Sequence, residues 1–445
     1  MIKIGMISLG CAKNRVDAEI ILGALKEKYE ITSDEAEAEV IIVNTCAFIE
    51  SAKEEAINAI LEAAARKKDK LKSLIVTGCL AERYGKEIEE SIPEVDGIIG
   101  IGQYDKVAEA VEETLAGRKY INLKENFPLD YLNADRVLST PKGSAYLKIC
   151  EGCDNKCSYC AIPSIRGPFR SRTVEDILRE ARMLLDQGVK EITVIAQDTS
   201  RYGRDIYGKP SLPMLLKKLD DMDGMCKLRV MYLYPDEITA ELIDTLKTSK
   251  NILHYVDLPV QHISDDVLRA MNRRGRAEEI KKIFNRFREE IPDVIIRTTL
   301  MTGFPGETEK DFEELKNFLS EFRFDRAGIF EYSKEEGTEA AKMKGQIRKS
   351  TKERRYNELM AIQQKISYEK NLERVGKTYD ALVEGVSDDG IFYYGRTYAE
   401  APEVDGYVYF TSREPLEAGQ TVQVRILLAD EYDLTGEAVC GKIST

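Results

Sequence analysis

Three cysteines within eight residues constrain this chain more than any other feature. Cys153, Cys157 and Cys160 form a C-x₃-C-x₂-C triplet, which places three thiols in one tight loop. Three thiolates can hold three irons of a 4Fe-4S cluster and leave the fourth iron open to bind a small molecule. A zinc site with Cys150 as fourth ligand is the alternative, although zinc sites usually pair C-x₂-C with a second pair downstream. The chain has no second pair, and its only two histidines lie far away in sequence.

Length and composition predict a cytosolic protein of several domains. At 445 residues, the chain has room for about three domains. Nine cysteines, an odd number, do not resemble a secreted disulfide framework. The N-terminus runs directly into a strand pattern without a leader, and no apolar run approaches membrane-spanning length. We therefore expect cytoplasmic localisation and no membrane association, and the net charge of −13 argues against a chain built mainly to bind nucleic acid.

The first region, residues 1–138, alternates apolar runs with helical segments. The apolar runs are Lys3–Leu9, Val40–Asn44 and Leu74–Thr77, and the helical segments are Asp17–Lys28 and Ser51–Lys68, the second with Ser51 as its cap. Strands that alternate with helices predict a parallel sheet with helices on its faces.

Cys11, Cys46 and Cys79 each follow one of these apolar runs by one or two residues. Ligand sites in parallel sheets lie beyond the carboxyl ends of the strands, so we expect the three thiols to converge at one edge. The alternative for each is a buried thiol that acts as a small hydrophobic side chain.

The middle region, residues 139–372, predicts a partial barrel of the TIM type, because six strand-like runs are separated by helical segments. The strand-like runs are Ala145–Ile149, Glu191–Ala196, Leu228–Leu233, Tyr255–Pro259, Val294–Met301 and Ala327–Tyr332. The helical segments are Val174–Gln187, Leu212–Met222, Ala240–Lys247, Asp265–Arg273, Ala277–Ile291 and Glu309–Phe322, and a long charged helix follows at Ile347–Arg374. The cysteine triplet directly follows the first run, which places it at the carboxyl face of the barrel.

The tail, residues 375–445, changes to alternating runs with Gly and acidic turns, which predicts a small five-stranded barrel of the oligonucleotide-binding kind. The runs are Tyr379–Val383, Ile391–Tyr394, Tyr407–Phe410 and Val422–Leu428. Its five basic and 13 acidic residues give a net charge of −8. This sign opposes binding to phosphates and favours a basic partner, unless the charge serves only solubility.

Several segments together are similar to the radical S-adenosylmethionine methylthiotransferases. The cysteine triplet, with an aromatic residue before its last Cys, resembles the radical signature of that superfamily. The other matching segments are Gly10-Cys11-Ala12-Lys13-Asn14, Asn44-Thr45-Cys46-Ala47-Phe48, Thr77-Gly78-Cys79-Leu80, Ile162-Pro163-Ser164-Ile165-Arg166-Gly167, Arg170-Ser171-Arg172 and Gly303-Phe304-Pro305-Gly306-Glu307-Thr308. The resemblance covers essentially the whole chain and implies a cluster domain, a radical core and a TRAM barrel, in that order.

The family has one branch that modifies transfer-RNA adenosine and another that modifies an aspartate of small-subunit ribosomal protein number twelve. This chain is similar to the ribosomal-protein branch at Gly10-Cys11-x-Lys13-Asn14-x-x-Asp17-x-Glu19, Val230-Met231-Tyr232-Leu233-Tyr234-Pro235-Asp236 and Glu400-Ala401-Pro402-Glu403-Val404-Asp405-Gly406. The acidic tail supports that choice, because ribosomal proteins are typically basic. A transfer-RNA methylthiotransferase is the first alternative, and a non-catalytic iron-sulfur sensor or scaffold is the second.

The resemblance implies two 4Fe-4S clusters with different tasks. The cluster on Cys153, Cys157 and Cys160 would bind S-adenosylmethionine and produce a 5′-deoxyadenosyl radical, which takes a hydrogen atom from the aspartate β-carbon. The cluster on Cys11, Cys46 and Cys79 would hold a sulfide or short polysulfide, which a second S-adenosylmethionine methylates before transfer. We expect an external one-electron donor such as flavodoxin or ferredoxin, and a monomeric enzyme.

Other residues are candidates for cofactor contacts. Tyr159 is placed to pack near the adenine, with simple loop packing as the alternative. Gly303 and Gly306 permit close approach of the backbone to S-adenosylmethionine. Gln197 and Asp198 end the second strand, where many radical enzymes carry a Gly-Gly-Glu motif that this chain lacks.

Three arginines and three cysteines have no assigned role in the cofactor sites. Arg166, Arg170 and Arg172 are candidates for bidentate binding of a carboxylate, either of the methionine moiety or of the substrate aspartate. Surface charge is the alternative for all three. The remaining cysteines are interpreted as structural thiols, namely Cys150, Cys226 and Cys440.

Overall fold

The computed structural model of the protein describes residues 1–123 and 127–439, and Cys440 lies outside them. The chain divides into two compact units. The first, here called the cysteine unit, comprises residues 1–139, 148–172 and 333–341. The second, here called the barrel unit, comprises residues 140–147, 173–332 and 342 onward. No helix in the described ranges is long and apolar enough to cross a membrane.

The cysteine unit is built on a six-stranded parallel sheet with the strand order β2-β1-β3-β4-β5-β6. Its strands are β1 Lys3–Ser8, β2 Glu30–Thr32, β3 Val40–Thr45, β4 Ser73–Gly78, β5 Gly97–Ile99 and β6 Tyr120–Asn122. Its helices are α1 Ala12–Leu25, α2 Glu50–Ala65, α3 Cys79–Ser91 and α4 Val107–Leu115. The Ile- and Val-rich strands β3 and β4 are buried along their whole length, as expected for the middle of a covered parallel sheet. The predicted sheet is therefore confirmed.

Two local predictions for this unit were wrong. Helix α1 begins at Ala12 instead of Asp17, because Cys11 occupies the N-cap position with an extended backbone. Ser51 is not a helix cap, since α2 begins at Glu50 after Ile49 and its N-cap makes no side-chain hydrogen bond. A serine before an apolar run favours a cap only where the chain enters the helix at that residue.

The triplet loop follows strand β7 and is closed by a short antiparallel ribbon. The elements here are β7 Ser144–Lys148, β8 Cys150–Glu151, α5 Ile162–Arg166 and β9 Arg170–Ser171. Strands β8 and β9 pair with each other. Across that pair the Cys150 Sγ lies 3.7 Å from the Ser171 Oγ, so Cys150 is a buried thiol of the ribbon.

The barrel unit contains the predicted six-stranded parallel array, in the order β14-β13-β12-β11-β10-β7. The additional strands are β10 Glu191–Ile195, β11 Lys227–Val230, β12 Ile252–Asp257, β13 Ile295–Thr302 and β14 Arg326–Glu331. The helices from here on are α6 Val174–Asp186, α7 Arg204–Tyr207, α8 Leu212–Asp220, α9 Ala240–Thr248, α10 Asp265–Ala270, α11 Ala277–Glu290, α12 Glu309–Phe322, α13 Glu339–Lys342 and α14 Lys349–Leu372. The six predicted helices of this region are all present.

The tail folds into a closed five-stranded barrel with the strand order β15-β16-β17-β19-β18. The strands are β15 Thr378–Val386, β16 Tyr393–Arg396, β17 Val408–Thr411, β18 Thr421–Ala429 and β19 Leu434–Ala438. Alternating side chains of these strands fill its interior, including Val383, Phe410, Val424 and Leu434. The mixed α/β architecture predicted from the sequence is confirmed.

Within the barrel unit, the end of β16 and the segment that follows it are bonded to side chains of the parallel strands β10, β11 and β12. Glu191 accepts hydrogen bonds from Arg229 at 2.8 Å and from Arg396 at 3.0 Å, and all three side chains are buried. The Tyr255 hydroxyl donates to Asp405 at 2.6 Å. Removing one partner of a buried pair of this kind costs about 3–5 kcal/mol. The tail barrel is therefore part of the same folded unit as the parallel strands.

Candidate active site

Cys11, Cys46 and Cys79 lie beyond the carboxyl ends of three adjacent strands of the cysteine unit. Cys11 precedes α1, Cys46 directly follows β3, and Cys79 is the first residue of α3. Strands β1, β3 and β4 are neighbours in the sheet, so their carboxyl ends lie along one edge. Gly10 has a φ of +93°, and a Cβ atom there would lie 2.8 Å from the Cys46 Cβ. The structure thus brings together the three cysteines that the sequence placed at one edge.

Asn14 holds the three cysteine loops together. Its Nδ2 donates to the carbonyl oxygens of Leu9 at 3.0 Å and Thr45 at 2.8 Å, which precede Cys11 and Cys46. Its Oδ1 lies 3.6 Å from the Cys79 Sγ. One buried amide therefore bonds to the loops after β1 and β3 and contacts the first residue of α3. Asn14 belongs to the Gly10–Asn14 motif, but this role was not predictable from the motif.

The electrostatic environment differs among the three thiols. Burial raises the pKa of the Cys79 thiol to about 12, although the nearby Arg166 opposes this rise. Burial also raises the pKa of Cys46. Desolvation of the Cys11 sulfur raises its pKa, but the charges of Lys13 and Arg166 and two backbone N–H groups lower it below its usual value. Lys13 and Arg166 therefore place positive charge beside these thiols, which favours the thiolate form that metal ligation requires.

The triplet loop of Cys153, Cys157 and Cys160 is ordered by its own backbone. The Cys153 N–H donates to the Gly167 carbonyl at 3.1 Å, and the Cys160 N–H donates to the Cys157 carbonyl at 3.1 Å. The Asn155 N–H approaches the Cys153 Sγ at 3.4 Å, and the Ile162 N–H approaches the Cys160 Sγ at 3.4 Å. Backbone N–H groups directed at sulfur are typical of iron-sulfur ligation, where they tune the cluster.

Arg166 connects the triplet loop to the other three cysteines. Its Nη1 donates to Glu151 at 2.9 Å, and its Nη2 lies 2.6 Å from the Asn14 Oδ1, 3.1 Å from the Asp17 carboxylate and 3.6 Å from the Cys79 Sγ. The guanidinium is 1% exposed, so each of these contacts is shielded from water. Arg166 was one of three candidates for binding an external carboxylate, with surface charge as the alternative; in the structure it is buried and bound to two carboxylates of the chain itself.

Lys148 completes a buried set of two cations and two anions with Arg166, Asp17 and Glu151. It pairs with Asp17 and lies 3.0 Å from Glu151, and its side chain is fully buried. Burial opposes ionisation of Glu151, but Arg166 and Lys148 hold the pKa of that carboxyl well below its usual range. The set has no net charge, which is the arrangement that makes buried charges tolerable.

The donor chemistry of both cysteine sets fits 4Fe-4S clusters. Each ligand of such a cluster binds a different iron atom, so its thiols need not converge on one point. Over residues 1–123 and 127–439, no three His, Cys, Asp or Glu side chains are arranged to hold a single metal ion. Cys150, the fourth ligand of the zinc alternative, is instead paired with Ser171 in the ribbon.

The remaining candidates of the cysteine unit occupy distinct surroundings. Arg170 donates to the Phe127 carbonyl and stacks over the Phe127 ring at 4.6 Å. Arg172 is buried and donates to the Lys148 carbonyl at 2.9 Å. Tyr159 is half-buried in the triplet loop. The three arginines that looked equivalent in sequence thus have separate partners.

Gln197 and Asp198 lie at the end of β10 in the barrel unit. Asp198 is buried and accepts a hydrogen bond from the Ser200 hydroxyl at 2.6 Å. The Ser200 hydroxyl in turn accepts from the Tyr234 N–H at 3.1 Å. Asp198 therefore helps to fix the loop after the next strand, and Gln197 beside it is half-buried.

The loop after β13 is organised by the carboxylate of Glu307. This buried carboxylate accepts from the N–H groups of Gly303 and Phe304 and pairs with Arg355 at 3.0 Å. A Cβ at Gly303 would lie 2.4 Å from the Lys352 side chain, whereas a Cβ at Gly306 would meet no atom within 4 Å. The Cβ direction of Gly303 is thus occupied by the Lys352 side chain, while that of Gly306 is open.

Two non-glycine residues beyond neighbouring barrel strands have left-handed backbone conformations. Tyr232 follows β11 with a φ of 62°, and Gln261 follows β12 with a φ of 70°. The adjacent His262 is buried, and its Nε2 has no hydrogen-bond partner in the described part of the chain. Backbone strain of this kind clusters at functional sites, and barrel active sites lie at this end of the strands. Neither conformation was predictable from the sequence.

Cys226 does not have the surroundings of a buried structural thiol. It is exposed in the turn before β11, with its Sγ 3.4 Å from the Gly224 carbonyl. The interpretation of Cys226 as structural therefore finds no support in burial, in contrast to Cys150.

Changing Gly78 to alanine is expected to disturb the Cys11, Cys46 and Cys79 site. Gly78 has a φ of +89°, and an added Cβ would lie 2.5 Å from both the Asn44 Oδ1 and the Thr45 carbonyl. We expect the free energy of unfolding to fall by about 1–3 kcal/mol and the iron content to fall as Cys79 is displaced. Chemical denaturation and iron analysis measure the two effects.

Gly117→Ala is the matched control for this change. Gly117 has a φ of +78°, but an added Cβ would meet no atom within 4 Å, so this variant carries backbone strain without the clash. Equal stability and equal iron in the two variants would show that the close approach at Gly78 is not needed.

Comparison with protein families agrees with this organisation. Residues 147–319 match the radical SAM superfamily, residues 3–100 match the uncharacterized protein family UPF0004, and residues 375–439 match the TRAM domain. Among solved structures, the radical S-adenosylmethionine methyltransferase TsrM from Kitasatospora setae covers 74% of this chain and 75% of its own, with a TM-score of 0.54 at 15% identity. That likeness shows a shared fold.

Relatives that match nearly the whole chain show its class, a radical S-adenosylmethionine methylthiotransferase. A ribosomal protein uS12 methylthiotransferase RimO from Acetivibrio thermocellus is 52% identical, and the match covers 98% of each chain. Another from a Thermoanaerobacter species is 50% identical over 98% of this chain and 100% of its own. The chain belongs to the RimO family.

Proposed function

We propose that this chain attaches a methylthio group to the β-carbon of an aspartate in the small-subunit ribosomal protein uS12. Identity of 52% over nearly the full length with a protein named for that activity is the observation that carries the proposal. The geometry adds support, because the loops of both cysteine sets belong to one compact unit. A transfer-RNA adenosine methylthiotransferase is the alternative.

Six cysteines would hold two 4Fe-4S clusters in this proposal. Cys153, Cys157 and Cys160 would hold the cluster that binds S-adenosylmethionine, and Cys11, Cys46 and Cys79 would hold the second. When bound, these groups supply a 5′-deoxyadenosyl radical and a sulfide or polysulfide sulfur for methylthio transfer. The chain itself supplies the thiolates, the N–H groups directed at sulfur and the buried charges that fix the two loops.

Five further residues would contact S-adenosylmethionine. Tyr159 would pack against the adenine, and Gly303 and Gly306 would present the backbone of the loop after β13. Gln197 and Asp198 would take the place of the missing Gly-Gly-Glu motif at the end of β10. The open Cβ direction of Gly306 supports a close approach there more directly than the packed surroundings of Gly303 do.

The tail surface favours a basic protein over RNA as the substrate. In the described part of the tail, nine acidic side chains are exposed against three basic ones, Lys377, Arg413 and Arg425. Such a surface repels phosphates and attracts a basic ribosomal protein. We further propose that the enzyme acts as a monomer in the cytoplasm, where its substrate is made, with flavodoxin or ferredoxin as electron donor.

Mass spectrometry of uS12 tests the proposed function. We expect the protein from purified small ribosomal subunits to carry one methylthio group on an aspartate when the gene is present and none when it is deleted. Restoring the gene on a plasmid should restore the modification. Unchanged uS12 together with loss of a methylthio group from transfer-RNA adenosine would assign the chain to the alternative branch.

A further inference from the structure

The short helix α5 contacts sulfur atoms of both cysteine sets. At its first residue the Ile162 N–H approaches the Cys160 Sγ at 3.4 Å, and at its last residue the Arg166 Nη2 approaches the Cys79 Sγ at 3.6 Å. The donors to the two sets are therefore the first and last residues of one five-residue helix.

The orientation of Arg166 is fixed by groups from three different elements. Asn14 and Asp17 of α1 bind its Nη2, and Glu151 of β8 binds its Nη1. Lys148 balances the second negative charge of this buried set of Asp17 and Glu151. The guanidinium is therefore held by paired carboxylates and does not face water. A paired arginine that still directs an N–H at sulfur is a rigid donor to whatever the sulfur binds.

We propose that Arg166 is a positioning residue that stabilises the reduced form of the cluster on Cys11, Cys46 and Cys79. The inference rests on the proposed function in one respect, since it takes those cysteines to be cluster ligands. Reduction adds one negative charge, part of which lies on the ligand sulfurs. The Arg166 guanidinium places a hydrogen bond and a positive charge beside the Cys79 sulfur. Both stabilise the added negative charge, so they raise the reduction potential of the cluster.

Redox titration followed by electron paramagnetic resonance tests this role. The titrations use the full-length chain with Cys153, Cys157 and Cys160 changed to alanine, so that only the cluster in question contributes a signal. Arg166→Met removes both charge and donors, and Arg166→Lys keeps the charge but cannot reach all partners. We expect the midpoint potential to be less negative with Arg166 than with Lys, and most negative with Met. The electron paramagnetic resonance spectrum of the cluster should also change.

Arg170→Met is the matched control, because Arg170 is a nearby arginine that contacts Phe127 and the Arg166 carbonyl. Its midpoint potential should equal that of the parent protein. An equal shift in Arg170→Met and Arg166→Met would overturn the inference, since loss of a distant charge alone would then explain the result.

If Arg166→Met alone does not fold, the double variant Arg166→Met with Glu151→Gln is titrated in its place. It removes one cation and one anion from the buried set and leaves the pair of Lys148 and Asp17. A negative shift in the double variant supports the inference, and an unchanged potential overturns it. If the parent protein holds no cluster on Cys11, Cys46 and Cys79, the proposed function fails first and the inference fails with it.

Discussion

Changing Cys153, Cys157 and Cys160 together to alanine is expected to abolish cleavage of S-adenosylmethionine and to remove half of the iron. Anaerobically purified protein should carry about eight irons per chain, and the triple variant about four. The physical reason is that thiolates are the ligands of this loop, and its backbone N–H groups cannot replace them. Measurement of 5′-deoxyadenosine and of iron in the same preparations checks both parts.

Cys150→Ala is the control for this experiment. Cys150 lies in the same segment, but its Sγ contacts the Ser171 hydroxyl in the β8–β9 ribbon. The single variant should keep its iron and its cleavage activity. Loss of iron from Cys150→Ala would show that Cys150 is a fourth metal ligand. Formation of 5′-deoxyadenosine by the triple variant would contradict the assignment of the radical site.

The position of the cysteines was predictable from the sequence because topology alone determines it. The apolar runs before Cys11, Cys46 and Cys79 are strongly periodic, and parallel strands place their carboxyl ends at one edge. The convergence of three residues far apart in sequence therefore needed no knowledge of side-chain packing. The same logic placed the triplet after the first strand of the middle region.

The partners of Arg166 were not predictable in this way. It lies 87 residues from Cys79 and 149 residues from Asp17 in sequence. Which of the three nearby arginines reaches the cysteines depends on how α5 packs and on which carboxylates are buried. Periodicity and charge patterns carry no information on either, because a buried and an exposed arginine look the same in sequence.

The tail illustrates a second limit of sequence reasoning. Its acidic excess was visible, but two of its acidic residues bond to side chains of the parallel strands. Glu400 pairs with Arg326 at 3.2 Å, and Asp405 accepts from the Tyr255 hydroxyl at 2.6 Å. Deleting the tail would leave buried groups of the parallel strands without partners. Substituting exposed acids such as Asp388 and Asp389 therefore tests the surface charge more directly than deletion does.

Changing Cys11, Cys46 and Cys79 together to alanine is expected to separate the two halves of the reaction. The triplet loop keeps its own hydrogen bonds in this variant, so cleavage of S-adenosylmethionine should persist. No methylthio product should form, because the thiols that would hold the sulfur carrier are gone. Parallel assays of 5′-deoxyadenosine and of methylthio-aspartate in uS12 measure the two halves.

Cys226→Ala is the control here, because Cys226 is exposed and its Sγ contacts the Gly224 carbonyl of the same turn. It should leave both readouts unchanged. The triple variant should also stay folded, since Arg166 keeps Asn14, Asp17 and Glu151 as partners when the Cys79 sulfur is removed. Loss of product can then be attributed to the missing thiols and not to collapse of the unit. Methylthio product at the parent level would instead show that these thiols only pack the edge of the sheet, and the sulfur source would have to lie elsewhere.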